Sequence, residues 1–267
     1  MNHTSYFQNK VIWITGASSG IGEELALQLA RAGAKLILSA RNEEKLRHLQ
    51  EKLENHNQHC VVPLDLANLS NLSEITSDIL LNCGRIDILI NNGGVSQRAS
   101  ANDTSMEVNR QLMEVNFFGN IALAKAVLPI FRTQKAGQFL VVSSIAGKFG
   151  FHLRSIYSAS KAALVGYYES LAMEEATNGI RVTIAFPGKI NTPISKSALT
   201  AEGAAHGQMD QNQASGMPVE QCVNQMLNAL ASGKREALIG GKELIAVQLK
   251  RFLPRLFWKI IPKQSAT

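Results

Sequence analysis

The sequence predicts an α/β fold: a single domain built on a doubly wound, seven-stranded parallel sheet with helices on both faces. Three observations point there. Apolar runs of strand length alternate with helical stretches through residue 186, the pattern of βαβ units. The first run closes in a glycine-rich turn that opens into a helix. Each polar motif of note falls at the carboxyl end of such a run or on the helix after it, where an open parallel sheet presents its ligand side.

At 267 residues the chain is long enough for one large α/β domain with an ample core. It is 45% hydrophobic and 18% charged with a mean hydropathy of −0.02, and it shows no repeat or low-complexity tract. The net charge is +6, but the cations are spread thinly until the last quarter and do not interleave with aromatic residues before it, which argues against nucleic acid. Cys60, Cys83 and Cys222 are odd in number and lack metal-ligand spacing, so free thiols in a reducing compartment are expected, and no metal. The amino-terminal MNHTSYFQNK has no apolar core of a signal peptide. No run reaches the ~18 apolar residues of a membrane span. The expectation is a cytoplasmic protein, with one reservation about the carboxyl end.

The first strand is VIWIT, Val11 to Thr15, followed by GASSGIG and a helix that ends at Gly33; KLILSA is the second strand. Gly16, Gly20 and Gly22 are spaced G-x-x-x-G-x-G. They serve a tight turn, a close backbone approach to a pyrophosphate, and a helix N-terminus aimed at the anion. At the end of the second strand an acid would bind the ribose 2′-hydroxyl of NAD, whereas an Arg would accommodate the 2′-phosphate of NADP. The chain has Arg41 there and no acid before Glu43, so NADP(H) is predicted, the alternative being that Arg41 only caps a solvated loop.

A charged helix from about residue 42 to 54 leads to CVVPLDL, the third strand, with Asp65 at its end, suited to the adenine. A helix over LSEITSDILLNCG and the fourth strand IDILINNGG follow, the latter running into Asn91, Asn92, Gly93 and Gly94. Two glycines after a buried strand allow close backbone approach to a ligand. A long helix from about 105 to 133 contains Asn116, a poor helix former amid apolar residues, expected to hold a water or bridge backbone. FLVV is the fifth strand, and Ser144 follows it. The next helix, to about residue 177, carries Tyr157 and Lys161, whose four-residue spacing puts them on one face with Cβ atoms about 5–6 Å apart. A nearby cation lowers a phenol's pKa, and such a phenol can exchange a proton with a hydroxyl or carbonyl oxygen. RVTIAF, the sixth strand, ends at Pro187 and Gly188.

Residues 193–220 are small, polar and poor in apolar periodicity, as in a plain linker, although a structureless linker of that length is uncommon inside a compact domain. PVEQCVNQMLNALASG is a helix and EALIG the seventh strand. The tail from residue 242 to 267 mixes Lys and Arg with Leu, Phe, Trp and Ile around Pro254. It fits an interfacial amphipathic segment at a membrane surface, or a closing helix packed on the body or a partner subunit.

Together TGASSGIG, Asp65, NNGG at 91–94, Asn116, Ser144, YSASK at 157–161 and PGKINT at 187–192 resemble the short-chain dehydrogenases/reductases, a Rossmann-fold family, over roughly residues 9 to 195. The resemblance is closest to the branch of dehydrogenase/reductase member 7 and the 11β-hydroxysteroid dehydrogenases, through SARNEEKL, NNGGVSQR and SIYSASKAAL. It implies a cofactor-binding and catalytic core over 9–192 with a tetrad of Asn116, Ser144, Tyr157 and Lys161, and over 193–220 a mobile substrate lid, weakly ordered without substrate. Tyr157 would be the general acid/base, Ser144 would orient the carbonyl, Lys161 would bind the nicotinamide ribose and lower the Tyr pKa, and Asn116 would hold a relay water. It further implies cofactor contacts from Gly16, Ser18, Ser19, Gly20, Ile21 and Gly22, from Arg41, Asp65, Leu66, Asn91 and Gly93, and from Tyr157, Lys161, Pro187, Gly188, Ile190 and Thr192. The branch implies NADP(H), a lipophilic carbonyl or alcohol substrate of steroid, retinoid or lipid type, and a homodimer or homotetramer paired through the helices near 106–133 and 155–177. Gly93 where the family commonly has Ala, and Lys189 after Pro-Gly, depart from the usual pattern. Two other functions fit less of the chain: a 3-oxoacyl thioester reductase, and an inactive cofactor-binding regulator.

Overall fold

The computed structural model describes residues 4–263; residues 1–3, and residues 264–267 of the predicted tail segment, lie outside the described residues. A short helix α1 (Thr4–Phe7) precedes β1 (Val11–Thr15). There follow α2 (Gly20–Arg31), β2 (Lys35–Ser39), α3 (Glu43–Lys52), β3 (Cys60–Val61), α4 (Leu72–Cys83) and β4 (Ile88–Asn91). Next come α5 (Met106–Met113), α6 (Gly119–Gln134), β5 (Gly137–Val142), α7 (Ser155–Glu174) and β6 (Ile180–Pro187). The chain continues through α8 (Gln211–Ala214), α9 (Val219–Ala231), β7 (Glu236–Ile239), α10 (Ile245–Phe252) and α11 (Pro254–Ile260).

The seven strands form one sheet in the order β3-β2-β1-β4-β5-β6-β7, and every pairing is parallel. The order reverses between β1 and β4, the switch point where an open α/β sheet leaves a crevice. Because strand side chains alternate in direction, Ile12 and Ile14 of β1 enter one core layer with Leu25 and Leu29 of α2 and Met226 of α9. Val11 and Trp13 enter the opposite layer with Val127 and Phe131 of α6 and Leu164 of α7. Both faces are therefore covered, as the unbroken apolar strands require.

The structure corrects the expected elements at three places. The third strand is only Cys60–Val61, because Pro63 interrupts the ladder; Val62 N and Leu64 N still donate to Leu38 O (2.9 Å) and Ala40 O (3.0 Å). The long helix is broken by a π-helical turn, Glu114–Phe118, with Asn116 inside it. By length and composition Met106–Gln134 could cross a membrane, yet Val108, Leu112, Leu123, Val127 and Phe131 are buried in the domain. The Tyr157 helix stops at Glu174 and not near residue 177. In the stretch 193–220, Leu199 bridges to Gln97, Met217 bridges to Ile190, and α8 lies within it.

Candidate active site

A cleft of about 610 Å³ opens at the carboxyl ends of the strands around the switch point. Its floor begins with the glycine turn. Gly16 and Gly20 have φ of +65° and +58°, backbone that favours glycine. A Cβ on Gly22 would collide with Gly16 O and stand 2.7 Å from Asn92 Nδ2, so α2 can lie this close to β1 and β4 only with glycine there. Ser18, Ser19, Gly20 and Ile21 line the cleft, and Ser19 is the extended residue from which α2 starts. Thr15 and Asn92 lock the turn to β4: Asn92 N and Gly93 N donate to Thr15 Oγ1 (3.1 and 3.0 Å), and Asn92 Nδ2 donates to Thr15 O (3.0 Å).

Arg41, exposed at the end of β2, lines the cleft together with Asn42 and Lys45. Asn42 caps α3 by accepting from Lys45 N (2.8 Å), which fixes the first turn on which the second cation stands. Sequence reasoning identified Arg41 and missed Lys45; the signal was an Asn N-cap three residues before it. Asp65 and Leu66 line the same end. Pocket-shaped space, glycines that admit close approach and two exposed cations fit an extended phosphorylated ligand such as a dinucleotide.

At the other end, Ser144, Tyr157 and Lys161 line the wall formed by β5 and α7. Ser144 Oγ donates to Pro187 O (3.3 Å) and accepts from Ala146 N (3.1 Å), so its hydroxyl is held at the strand end. Burial pushes the Tyr157 phenol above its ordinary value; the Arg154 guanidinium, hydrogen bonding with Ser144, and the Arg98 guanidinium pull it back. Lys161 is 4% exposed, and burial pushes its ammonium down to about 8. Its Nζ donates to Val142 O (2.8 Å) and lies 5.9 Å from the centre of the Tyr157 ring. The two guanidinium groups that pull Tyr157 back down are Arg154 and Arg98.

Three expected site residues sit behind the wall instead of on it. Asn91 turns into the core, where Nδ2 donates to Tyr168 Oη and to Asn120 O. Gly22 acts through packing, as above. Asn116, wholly buried, bridges backbone: Oδ1 accepts from Val95 N (2.8 Å), while Nδ2 donates to Val95 O (2.9 Å) and Ser160 Oγ (3.0 Å). The π turn gives Asn116 this reach, a frequent use of such turns at functional sites. It thereby couples the Gly94–Val95 wall to the Tyr157 helix. Pro187, Gly188, Ile190 and Thr192 all line the cleft.

A group that the sequence did not flag surrounds the start of α7. Arg154 stands at the N-cap position without a side-chain cap, and buried Gln97 takes over that role: its Oε1 accepts from Ile156 N (3.1 Å) and Tyr157 N (3.4 Å). Next to it Arg98 pairs with Asp210 of the 193–220 stretch, their side chains 3% and 2% exposed, and Arg154 Nη2 donates to the same carboxylate (3.1 Å). Residues 112 positions apart give no local pattern to read.

The model of the short chain dehydrogenase family matches residues 10–203. Dehydrogenase/reductase SDR family member 7B of Xenopus laevis is 38% identical over 270 residues, covering 98% of this chain and 83% of the relative. Among solved structures, a short chain dehydrogenase/reductase from Burkholderia phymatum in complex with NAD aligns with a TM-score of 0.83 at 24% identity, over 98% of this chain and 97% of that one. A short chain dehydrogenase from Burkholderia cenocepacia in complex with NADP aligns with a TM-score of 0.79 at 24% identity, over 97% and 99%. At that identity the two structures speak for the fold.

Proposed function

The chain belongs to the short-chain dehydrogenase family, and on that premise we propose that it is an NADP(H)-dependent oxidoreductase acting on a carbonyl or secondary alcohol of a lipophilic substrate. The observation that carries the reading is one cleft with a glycine turn and two cations at one end and Ser144, Tyr157 and Lys161 at the other. The Gly16–Gly22 turn and the α2 N-terminus would hold the pyrophosphate, Arg41 and Lys45 the 2′-phosphate, Asp65 the adenine, and Lys161 the nicotinamide ribose. When bound, the cofactor supplies or accepts the hydride.

The chain's own part is position and proton. Tyr157 gives its proton to the substrate oxygen in reduction and takes it back in oxidation. A phenol raised by burial keeps that proton until an oxygen of growing basicity faces it, and Arg154 and Arg98 limit the rise so that the reverse step stays accessible. Ser144 Oγ, fixed by Ala146 N and Pro187 O, orients the same oxygen. Asn116 keeps Val95 in place opposite. Val95, Val115, Ile194 and Ala205 border the space beyond Tyr157, which supports an apolar substrate. The exposed Phe118 and Met173, on the π turn and α7, support pairing of two copies through these helices.

Titration of the purified protein with NADPH and NADH, repeated with Arg41→Ala and Lys45→Ala, tests the reading. NADPH should bind tighter, and each substitution should weaken NADPH by about tenfold, the loss of one charge-assisted contact of about 1.5 kcal/mol, while leaving NADH within about twofold. Equal or tighter binding of NADH would overturn the NADP(H) assignment, and failure of both to bind would overturn the enzyme.

A further inference from the structure

The carboxyl-terminal segment is anchored on one side and bare on the other. On the inner side Phe257 is 1% exposed and packs edge-to-face on Phe149 with ring centres 5.2 Å apart; Phe149 in turn stacks on Phe151 at 4.7 Å. Lys250 Nζ donates to Lys148 O (2.9 Å), and Glu243 Oε1 accepts from Lys189 N (2.9 Å). On the outer side Phe252 is 69% exposed and Trp258 64%, flanked by Leu253, Leu256 and Ile260, also exposed. The break that sets this geometry is Pro254, which pushes Leu253 out of helical backbone and starts α11.

The segment is also strongly basic. Besides Lys250, which is held on Lys148 O, Arg251, Arg255, Lys259 and Lys263 fall between residues 244 and 267, which contain no Asp or Glu; these four are exposed. A partner must therefore accept bulky apolar side chains and offer negative charge together. A second copy of this face would set cations against cations. A nucleic acid would leave the apolar side chains in water.

We propose that residues 245–263 dock the protein on an anionic lipid surface, with Phe252, Leu253, Leu256 and Trp258 entering the headgroup–acyl boundary and the Lys and Arg side chains meeting lipid phosphates. Aromatic residues favour that depth, and each cation near an anionic leaflet strengthens binding about fivefold. The anchored side of the segment packs on chain next to the cleft wall. Lys189, held by Glu243, follows Pro187 and Gly188 of the cleft wall, and the Lys148–Phe151 loop that receives Phe257 and Lys250 lies between Ser144 and Tyr157. The lipid surface would thus sit beside the substrate end. This last step rests on the oxidoreductase reading; the docking itself does not.

The test is sedimentation of the full chain with phosphatidylcholine vesicles, with and without phosphatidylglycerol, at low and high salt. Binding should require phosphatidylglycerol, weaken with salt, and drop at least about tenfold in the Phe252→Ser/Trp258→Ser variant, whose changes are at exposed positions. A Lys259→Gln/Arg255→Gln variant should lose roughly twenty-five-fold. No binding to anionic vesicles, or binding that both variants retain, would overturn the proposal, as would concentration-dependent self-association abolished by the variants without vesicle binding. Vesicle binding that persists in a protein unable to bind NADPH would leave the docking standing and sink the enzyme reading alone.

Discussion

Replacing Asp210 by Asn should cost the protein roughly 3 kcal/mol. The carboxylate is 2% exposed and accepts from Arg98 Nε (3.2 Å), Arg98 Nη2 and Arg154 Nη2 (3.1 Å). Losing one partner of a buried pair costs about 3–5 kcal/mol, because the other charge stays buried. The lower end applies here, since Arg154 is 20% exposed and can turn to water. For a chain of this size each kcal/mol shifts Tm by roughly 2–4 °C, so a fall of about 6–12 °C is predicted by calorimetry. The second change Arg98→Met, made together with Asp210→Leu, should recover most of it by replacing the pair with apolar volume. Loss of the pair should also free the stretch around α8, read as faster proteolysis between residues 193 and 217. A Tm within about 2 °C of the parent for Asp210→Asn, with unchanged proteolysis, would refute the view that Asp210, through Arg98 and Arg154, fastens the stretch beside the N-terminus of the Tyr157 helix.

Lys161 gives a pH prediction. Its folded value of about 8 lies below the ordinary 10.5, so between these the unfolded chain holds a proton that the folded chain has released, and this group's contribution to stability rises with pH. Measured against Lys161→Met by urea unfolding, wild type should gain on the order of 3 kcal/mol between pH 7.5 and 10.5; a flat difference contradicts the burial argument. Gly22→Ala should destabilise by about 1–3 kcal/mol and abolish NADPH binding, because the methyl group collides with the Gly16 turn. Gly166→Ala, with nothing within 4 Å of its added Cβ in the middle of α7, should stabilise by up to about 1 kcal/mol, and thermal melts of the pair decide the matter.

The fold was legible because strand burial leaves its mark locally: VIWIT, KLILS and GQFLVV are apolar on both faces, and only a covered parallel sheet uses such runs. The glycine turn, Ser144, Tyr157 and Lys161 were legible because their neighbours in space are neighbours in the chain or follow a strand end. What stayed hidden depends on distant partners. The backbone bridge expected of Asn116 is there, but its partner Val95, 21 residues earlier, and the π turn that reaches it left no local mark. Asn91 reads as a strand-end ligand, yet Tyr168, 77 residues on, draws it inward. Gln97, Arg98 and Asp210 acquire meaning only once Leu199 is bridged to Gln97 and the polar 193–220 stretch lies on the α7 N-terminus.

The central claim is that Tyr157 carries the proton in a cleft that binds NADP(H) without it. The most direct measurement is a single-turnover assay of NADPH with a lipophilic ketone for wild type and Tyr157→Phe, alongside NADPH binding to both. The account predicts NADPH binding unchanged within about threefold and a rate lower by about 10²–10⁴-fold, the usual share of a positioned acid/base. A Phe variant that turns over at near the wild-type rate would contradict it.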